Sequence, residues 1–451
     1  MKKSGAEKWT TRPENGILKS MKKPEKKDGP LIAAVSTPPG RGAIAIVRLS
    51  GEGAAETAAA MFDKKAERLH PRQMYYGELT AAHGIKDKAV LVVFRRGASY
   101  TGEEAAEIHC HGSPVVTSAV LMRLYEMGAR AAERGEFTRR AYFNGNLDLT
   151  EAEGVIDLID SESEAAARAA YCEADGRLKK TIGEIADCLT EAAAAIGAAI
   201  DYPEEGLEET LPVGEIKKAA DRLAALKDSY PAGSAAISGV NVALIGKPNA
   251  GKSTLFNALV GYERSIVTDT AGTTRDTVSE GYIYKGLRFN VIDTAGIRQA
   301  ESEPERQGIL RSRRAAAGAD VVVETDENGV FTEENALKVR TKGDLKSEKG
   351  AADLVVTAVS GQGIDALKEM IYRRAGNLTL SDVTLTNLRQ YEAVAEAYDS
   401  VEAARRALGD DAADCAAAAL SEALNALGKV TGEYATDAVI DRIFARFCVG
   451  K

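Results

Sequence analysis

The run Gly246-Lys247-Pro248-Asn249-Ala250-Gly251-Lys252-Ser253 constrains this chain more than any other feature. It has the spacing G-x-x-x-x-G-K-S, and it lies between an apolar run, Val240–Ile245, and a helical opening at Thr254, Leu255 and Phe256. In a strand–loop–helix setting the glycines let the backbone curl so that amide N–H groups point at phosphates. The helix N-terminus adds the positive end of its dipole. Lys252 is expected to reach the β- and γ-phosphates of a nucleotide, and the Ser253 hydroxyl to ligate Mg²⁺. From Gly239 onward strands alternate with helices, as a parallel α/β sheet requires.

Two further strings belong to the same site. The apolar strand Leu287–Ile292 ends in Asp293-Thr294-Ala295-Gly296, about 40 residues after the loop. The Asp falls where a carboxylate backing the Mg²⁺ coordination belongs, and the Gly amide can sense the γ-phosphate. Thr341-Lys342-Gly343-Asp344 stands where guanine-specific proteins carry Asn-Lys-x-Asp. Asp344 can accept from the guanine N1–H and exocyclic amine, which favours GTP over ATP. Thr341 departs from the pattern: an Asn amide would bond both base and phosphate loop, and the shorter Thr is expected to weaken nucleotide binding. A further guanine-side loop is expected at Thr357-Ala358-Val359. The segment from Asp326 to Thr341 is short for a helix plus a strand, so the base-side half of the domain is expected to be abbreviated.

In Ras-like enzymes a Gln following this second string orients the attacking water; here the residue is Ile297, which cannot. The compensation is sought in Asn249 and in the loop Thr268-Asp269-Thr270-Ala271-Gly272-Thr273-Thr274-Arg275-Asp276, which is rich in oxygen ligands and lies where switch I should cover the phosphates. An amide oxygen, carbonyls, a hydroxyl and phosphate oxygens suit a large monovalent cation. Potassium there would neutralise transition-state charge as an arginine finger does. The alternative is an ordinary switch loop whose Thr residues bind only Mg²⁺.

The remaining sequence supplies two other compositions. Residues 31–147 alternate β-rich runs with helical stretches, an α+β pattern. From Leu149 the chain turns to Ala, Glu and Leu, with Leu178, Ile182, Ile185, Leu189, Ile196 and Ile200 on one helical stripe. The turn-rich Tyr202-Pro203-Glu204-Glu205-Gly206 breaks it. Helical periodicity returns after about Leu380, with Tyr391, Val394, Tyr398, Val401 and Leu408 on one face. The economical reading is an α/β domain inserted into one helical domain; the alternative is two separate bundles. With 451 residues, 45% apolar and 28% charged, about three soluble domains are expected. The Lys-rich first 28 residues read as a disordered tail rather than a signal peptide, and Met21 leaves a second possible start. No run of about 18 apolar residues suggests a membrane span. Five scattered cysteines without a Cys-x-x-Cys pair fit a reducing cytoplasm. The net charge of -9 argues against general nucleic-acid coating, so bound RNA would need a local patch or a partner.

In the N-terminal part, Thr37-Pro38-Pro39-Gly40-Arg41-Gly42 reads as a Pro-fixed turn. His109 and His111 lie on one face of a strand, with Cys110 pointing away; the chain has only four His, so zinc is disfavoured. A lone cysteine near the end, such as Cys448, is by itself more often a small buried hydrophobe than a reactive thiol.

Taken together, Thr-Ala-Gly-Thr-Thr-Arg-Asp, Pro-Asn-Ala-Gly-Lys-Ser and Asp-Thr-Ala-Gly-Ile-Arg resemble the MnmE (TrmE) family of tRNA wobble-uridine modification GTPases. The string Gly135-Glu136-Phe137-Thr138-Arg139-Arg140-Ala141, the run Leu147-Asp148-Leu149-Thr150 and the terminal Phe447-Cys448-Val449-Gly450-Lys451 are similar to the same family, so the resemblance covers about residues 31–451. It implies potassium ligands at Asn249, Thr268, Thr270 and Thr273, Mg²⁺ at Ser253 and Thr274, and a water-orienting carboxylate at Glu305. It implies a tetrahydrofolate site at Arg48, Glu107 and Lys451, with Asn146 where the family has Lys, and modification chemistry at Cys448. It also implies a homodimer, a tRNA substrate and an FAD-containing partner, MnmG (GidA), forming a heterotetramer.

The expected architecture is therefore multidomain. A basic tail spans 1–29 and an α+β folate-binding-like domain 30–147; the two parts of an α-helical bundle domain span 148–238 and 377–451. An inserted α/β P-loop GTPase domain covers 239–376. The expected activity is potassium-stimulated GTP hydrolysis coupled to modification of carbon 5 of the wobble uridine. The rival is a regulatory or ribosome-assembly GTPase without modification chemistry, which leaves the folate-like strings and the terminal Cys unexplained.

Overall fold

The computed structural model describes residues 28–202, 211–247, 249–261, 280–293, 318–344, 350–376 and 378–451. The described chain forms two compact units, one of residues up to Asn146 together with Cys448–Lys451, the other of Leu147–Phe447. The expected tail over 1–29 and the expected turn at 202–206 fall largely outside the described residues.

The first unit is built on a sheet of β1 (Ile32–Val35), β2 (Gly42–Ser50), β3 (Tyr75–Thr80), β4 (Lys86–Phe94), β5 (Ala105–Gly112) and β6 (Arg130–Ala131). Its order is β3-β4-β5-β2-β1-β6, antiparallel except for the β1–β6 pair. Helices α1 (Ala54–Ala60) and α2 (Pro114–Glu126) cover one face. There Val47, Leu49, Leu79, Leu91, Ile108, Val120 and Leu124 are fully buried. The opposite face carries alternate residues of the same strands, Arg48 on β2 and Glu107 on β5 among them, because successive side chains of a strand point to opposite sides. Helix α3 (Glu136–Phe143) completes the unit; its Phe137 is buried with Ile32 and Ala34.

The Gly-Glu-Phe-Thr-Arg-Arg string acquires a structural meaning at α3. Arg140 donates to Glu103 and Glu136, 2.8 Å each, and Glu103 also accepts from Ser50 Oγ at 2.8 Å and from the Gly29 amide. Burial pushes the Glu136 carboxyl up, but the Arg130, Glu133 and Arg140 donors outweigh it and hold the group at about 2.

The second unit combines helices and a second sheet. Its helices include α4 (Leu149–Ile159), α5 (Glu164–Ala174), α6 (Arg177–Asp201) and α7 (Val213–Ser238). An Asp148–Glu151 capping box starts α4, and α4 packs so tightly on α5 that a Cβ on Gly154 would meet the Ala174 amide at 2.4 Å. The sheet then intervenes: β7 (Val240–Gly246), α8 (Lys252–Gly261), β8 (Gly281–Tyr284), β9 (Leu287–Asp293), β10 (Val321–Asp326), β11 (Leu337–Arg340), β12 (Leu354–Val355) and α9 (Ile364–Arg374). The order is β12-β11-β10-β7-β9-β8, parallel except for the β8–β9 hairpin. Helices α10 (Leu388–Gly409), α11 (Ala413–Thr431) and α12 (Asp437–Phe444) follow.

The helices on either side of the sheet share one core. Leu178, Ile182, Ile185, Leu189, Ile196 and Leu223 pack with Val394, Val401, Leu420, Leu427 and Val430. The α/β part is thus an insertion into a single helical domain. Among the described residues no helix is long and apolar enough to cross a membrane.

Candidate functional site

In the second unit, β7 delivers the chain into the phosphate loop, and the loop's backbone explains its composition. Gly246 has φ 144°, and a Cβ there would meet the Thr325 carbonyl at 2.2 Å. Asn249 also sits at positive φ, 63°, where Asn is among the tolerated residues. Lys252 opens α8 and is buried; its Nζ donates to the carbonyls of Gly246 (2.8 Å) and Lys247 (2.7 Å). Ser253 and Thr254 are exposed at the helix start. The loop therefore offers a helix N-terminus, a curled glycine backbone and one cation at a single point, the combination that binds nucleotide phosphates.

The base-side strings converge on this loop. Thr341 is buried and donates its hydroxyl to the Ala250 carbonyl at 2.7 Å, so the link to the phosphate loop that an Asn would make is kept by Thr. Gly343 donates its amide to the Val356 carbonyl, and a Cβ there would meet Val355 Cγ1 at 2.8 Å and Thr357 Oγ1 at 3.0 Å. Thr357 is buried, Ala358 half-buried and Val359 exposed; Asp344 is exposed beside them. Lys342, at positive φ, pairs with Glu327.

The expected abbreviation has a concrete form. Parallel strands β10 and β11 are joined by residues 327–336 alone, with no crossover helix. Such connections ordinarily take a dozen or more residues, usually with a helix. Buried carboxylates hold the short connection instead. Glu324 accepts from the Thr332 amide (2.9 Å), the Thr332 hydroxyl (2.8 Å) and the Glu333 amide (2.9 Å). Asp326 accepts from the Asn328 and Val330 amides.

Of the expected cation ligands only Asn249 and Ser253 are described. Thr268, Asp269, Thr270, Ala271, Gly272, Thr273, Thr274, Thr294, Ala295, Gly296, Ile297 and Glu305 lie outside the described residues, as does the Asp293 side chain.

In the first unit a cavity of about 290 Å³ opens on the sheet face away from α1 and α2. Arg48 and Glu107 are directly paired in the β2–β5 register, which puts both side chains on one face. Arg48 Nε and Nη2 bond Glu107 Oε1 at 3.0 and 2.9 Å, while Arg48 Nη1 is buried without a partner. The guanidinium lies 5.6 Å from the Tyr100 ring centre and 5.9 Å from that of Phe137, within cation–π range. Lys451 joins them: its Nζ is 6.0 Å from the Tyr100 ring centre, and its carbonyl accepts from the Phe137 amide at 3.2 Å. Burial and then the Arg48 charge hold the Lys451 ammonium below the usual lysine range, against the opposing pull of Glu107.

The terminal residues are tied into this unit by an Arg134–Val449 bridge, by Ser36 Oγ donating to the Gly450 carbonyl at 2.9 Å, and by the Gly135 amide donating to the Cys448 carbonyl. The Cys448 side chain is exposed.

Of the four folate candidates, Arg48 and Glu107 line the cavity, whereas Lys451 stands beside Tyr100 and Asn146 is engaged elsewhere. Its Nδ2 donates to the carbonyls of Ser99 and Tyr100, 3.2 Å each, so it braces the loop carrying Tyr100 and does not line the cavity. His109 pairs with Glu107 (3.3 Å) and His111 with Asp87 (2.6 Å). The sequence reading passed over Arg72, Phe94 and the lining role of Phe137. No periodicity marks Arg72; the only local signal is the Pro71-Arg72 turn.

Two family models match the chain: "GTP-binding protein TrmE N-terminus" over residues 31–146 and "MnmE helical domain" over 149–448. Relatives named tRNA modification GTPase MnmE align along nearly its whole length. One from Thermus thermophilus is 40% identical over 432 residues, covering 93% of this chain and 99% of the relative. One from Azoarcus is 39% identical over 450 residues, covering 93% and 98%. One from Chlorobium chlorochromatii is 36% identical over 468 residues, covering 94% and 98%.

Proposed function

The chain belongs to the MnmE family of tRNA modification GTPases, and from that premise we propose that its GTP hydrolysis drives addition of a carboxymethylaminomethyl or aminomethyl group to carbon 5 of the wobble uridine of certain tRNAs. The one-carbon unit comes from a tetrahydrofolate derivative held in the first unit. The observation that carries this reading is the buried, unpartnered Arg48 Nη1 beside Glu107, between Tyr100 and Phe137. A buried guanidinium N–H with no acceptor costs free energy unless a ligand satisfies it. A pterin supplies what this arrangement lacks: a flat ring for the aromatic wall, and an edge with acceptors for Arg48 and donors for Glu107. Lys451 adds a cation beside Tyr100, and Cys448 is the exposed thiol closest in sequence to it.

In the second unit the amides of 249–251, Lys252 and Thr254 would bind the phosphates of GTP, with Ser253 and Thr274 holding Mg²⁺ and Asp293 behind it. Asp344 and the Thr357–Val359 loop would read guanine. Asn249, Thr268, Thr270 and Thr273 would hold a potassium ion, which would supply the positive charge that an arginine finger gives elsewhere, and Glu305 would orient the attacking water. A homodimer, a cytoplasmic location and an FAD-containing MnmG partner complete the proposal.

The test has two arms. Steady-state GTP hydrolysis in potassium and in sodium chloride at equal ionic strength should show a large potassium-specific acceleration; equal rates would remove the cation site. Nucleoside mass spectrometry of tRNA from a deletion strain should show loss of the wobble-uridine modification, restored by the wild-type gene and not by Arg48→Ala. Unchanged tRNA in the deletion strain would favour a GTPase switch without modification chemistry.

A further inference from the structure

The cavity of the first unit runs from a half-buried charged pair to an exposed cation that nothing above uses. Arg48 and Glu107 side chains are each 19% exposed, whereas Arg72 lines the same cavity and is exposed. Arg72 is held there on purpose-built backbone. It adopts φ 61°, a left-handed conformation uncommon for a non-Gly residue, fixed by its amide donating to the Val93 carbonyl at 2.9 Å. Its Nη2 donates to the Ala98 carbonyl at 3.0 Å, which sets the guanidinium against the loop that carries Tyr100. That bond uses one of five N–H donors, so the fork still has donors to present. Of the charged groups lining the cavity, Arg48 and Arg72 stand against the carboxylate of Glu107, an excess of one positive charge, and Lys451 Nζ lies 6.0 Å from the Tyr100 ring centre. Asn146 contributes no charge and is engaged with Ser99 and Tyr100.

A ligand whose ring edge meets Arg48 and Glu107 between the aromatic rings must place its far end toward the exposed side. We propose that Arg72 receives the carboxylates of the ligand's glutamate tail and makes the pocket select for glutamylated folates. This rests on the reading of the cavity as a folate site.

The test uses the full-length protein and titration calorimetry with three probes: 5-formyltetrahydrofolate, its triglutamate, and the corresponding pteroate lacking glutamate. The wild-type chain should bind the folates more tightly than the pteroate, with an affinity that falls as salt is raised. Arg72→Gln should weaken both folates by about tenfold, the scale of one charge-assisted contact, and weaken pteroate, whose benzoate carboxylate stops short of the tail, by clearly less. Arg72→Lys should recover part of the loss. Equal weakening of folate and pteroate would mean that Arg72 only braces the Ala98 loop, and unchanged folate affinity would likewise overturn the assignment. Absence of folate binding by the wild-type chain, with GTP hydrolysis intact, would instead overturn the reading of the cavity itself and the inference with it.

Discussion

The Thr341 hydroxyl donates to the Ala250 carbonyl at 2.7 Å, and through that bond the Thr341-Lys342-Gly343-Asp344 string is fastened directly to the G-x-x-x-x-G-K-S loop. The bond is buried, so its loss leaves a carbonyl without a partner, which costs about 1–3 kcal/mol. Thr341→Val is therefore expected to lower GDP affinity roughly tenfold and to reduce the melting temperature. Thr341→Asn is expected to do the reverse for the nucleotide, because an amide can keep the link and also reach the base. Titration with a fluorescent GDP analogue checks both; a Thr341→Asn protein that binds GDP no more tightly would show that the Thr is not what limits affinity.

The carboxyl of Glu136 supplies a second expectation. Its folded value of about 2 lies below the ordinary 4.5, so the ionised form is favoured by folding. The stability it contributes is present above the ordinary carboxylate value and is lost as pH falls from there toward 2. A depression of that size is worth up to about 3 kcal/mol at neutral pH. Glu136→Gln should lower stability at pH 7 and flatten the acid limb of a denaturation profile between those values.

Glu173 behaves in the opposite sense. It is fully buried on α5, and its carboxyl is raised well above the usual range, first by burial and then by the neighbouring Glu153, against hydrogen bonds from Thr386 and Gln390. Folding there favours the protonated form. Stability associated with this group is present below the ordinary carboxylate value and falls as pH rises through the raised one. Glu173→Gln should raise the melting temperature at pH 8 and change it little at pH 4.5. An equal effect at both values would mean that the group is not titrating in the folded protein.

Lys451 is expected to make folate binding pH-dependent. An anionic ligand prefers the charged ammonium, and burial has moved its deprotonation below the usual lysine range. Folate affinity should fall as pH rises through that lowered value. Lys451→Arg keeps the charge to much higher pH, and should bind folate with an affinity independent of pH over the same interval.

Much of this architecture was legible in the chain itself. The G-x-x-x-x-G-K-S loop between Val240–Ile245 and Thr254 dictated a parallel sheet, because only a strand–loop–helix turn aims amides and a helix N-terminus at one phosphate. The stripe from Leu178 to Ile196 and the face containing Val394 and Val401 announced helices with buried sides. That these two segments complete one core was decided in three dimensions, since periodicity says which side is buried and not against what.

The same limit governs the sites. Strand alternation could place Arg48 and Glu107 each on a face, but only the β2–β5 register set them opposite one another, and only the packing of α3 brought Phe137 over the guanidinium. The shortness of 326–341 was visible as a count of residues. That buried Glu324 and Asp326 would hold the loop in place of a helix was not, because a carboxylate satisfied by backbone amides carries no sequence period. Local spacing determined the elements and the phosphate chemistry. Pairing between residues far apart in the chain decided which charges meet, and with that which ligand the first unit can take.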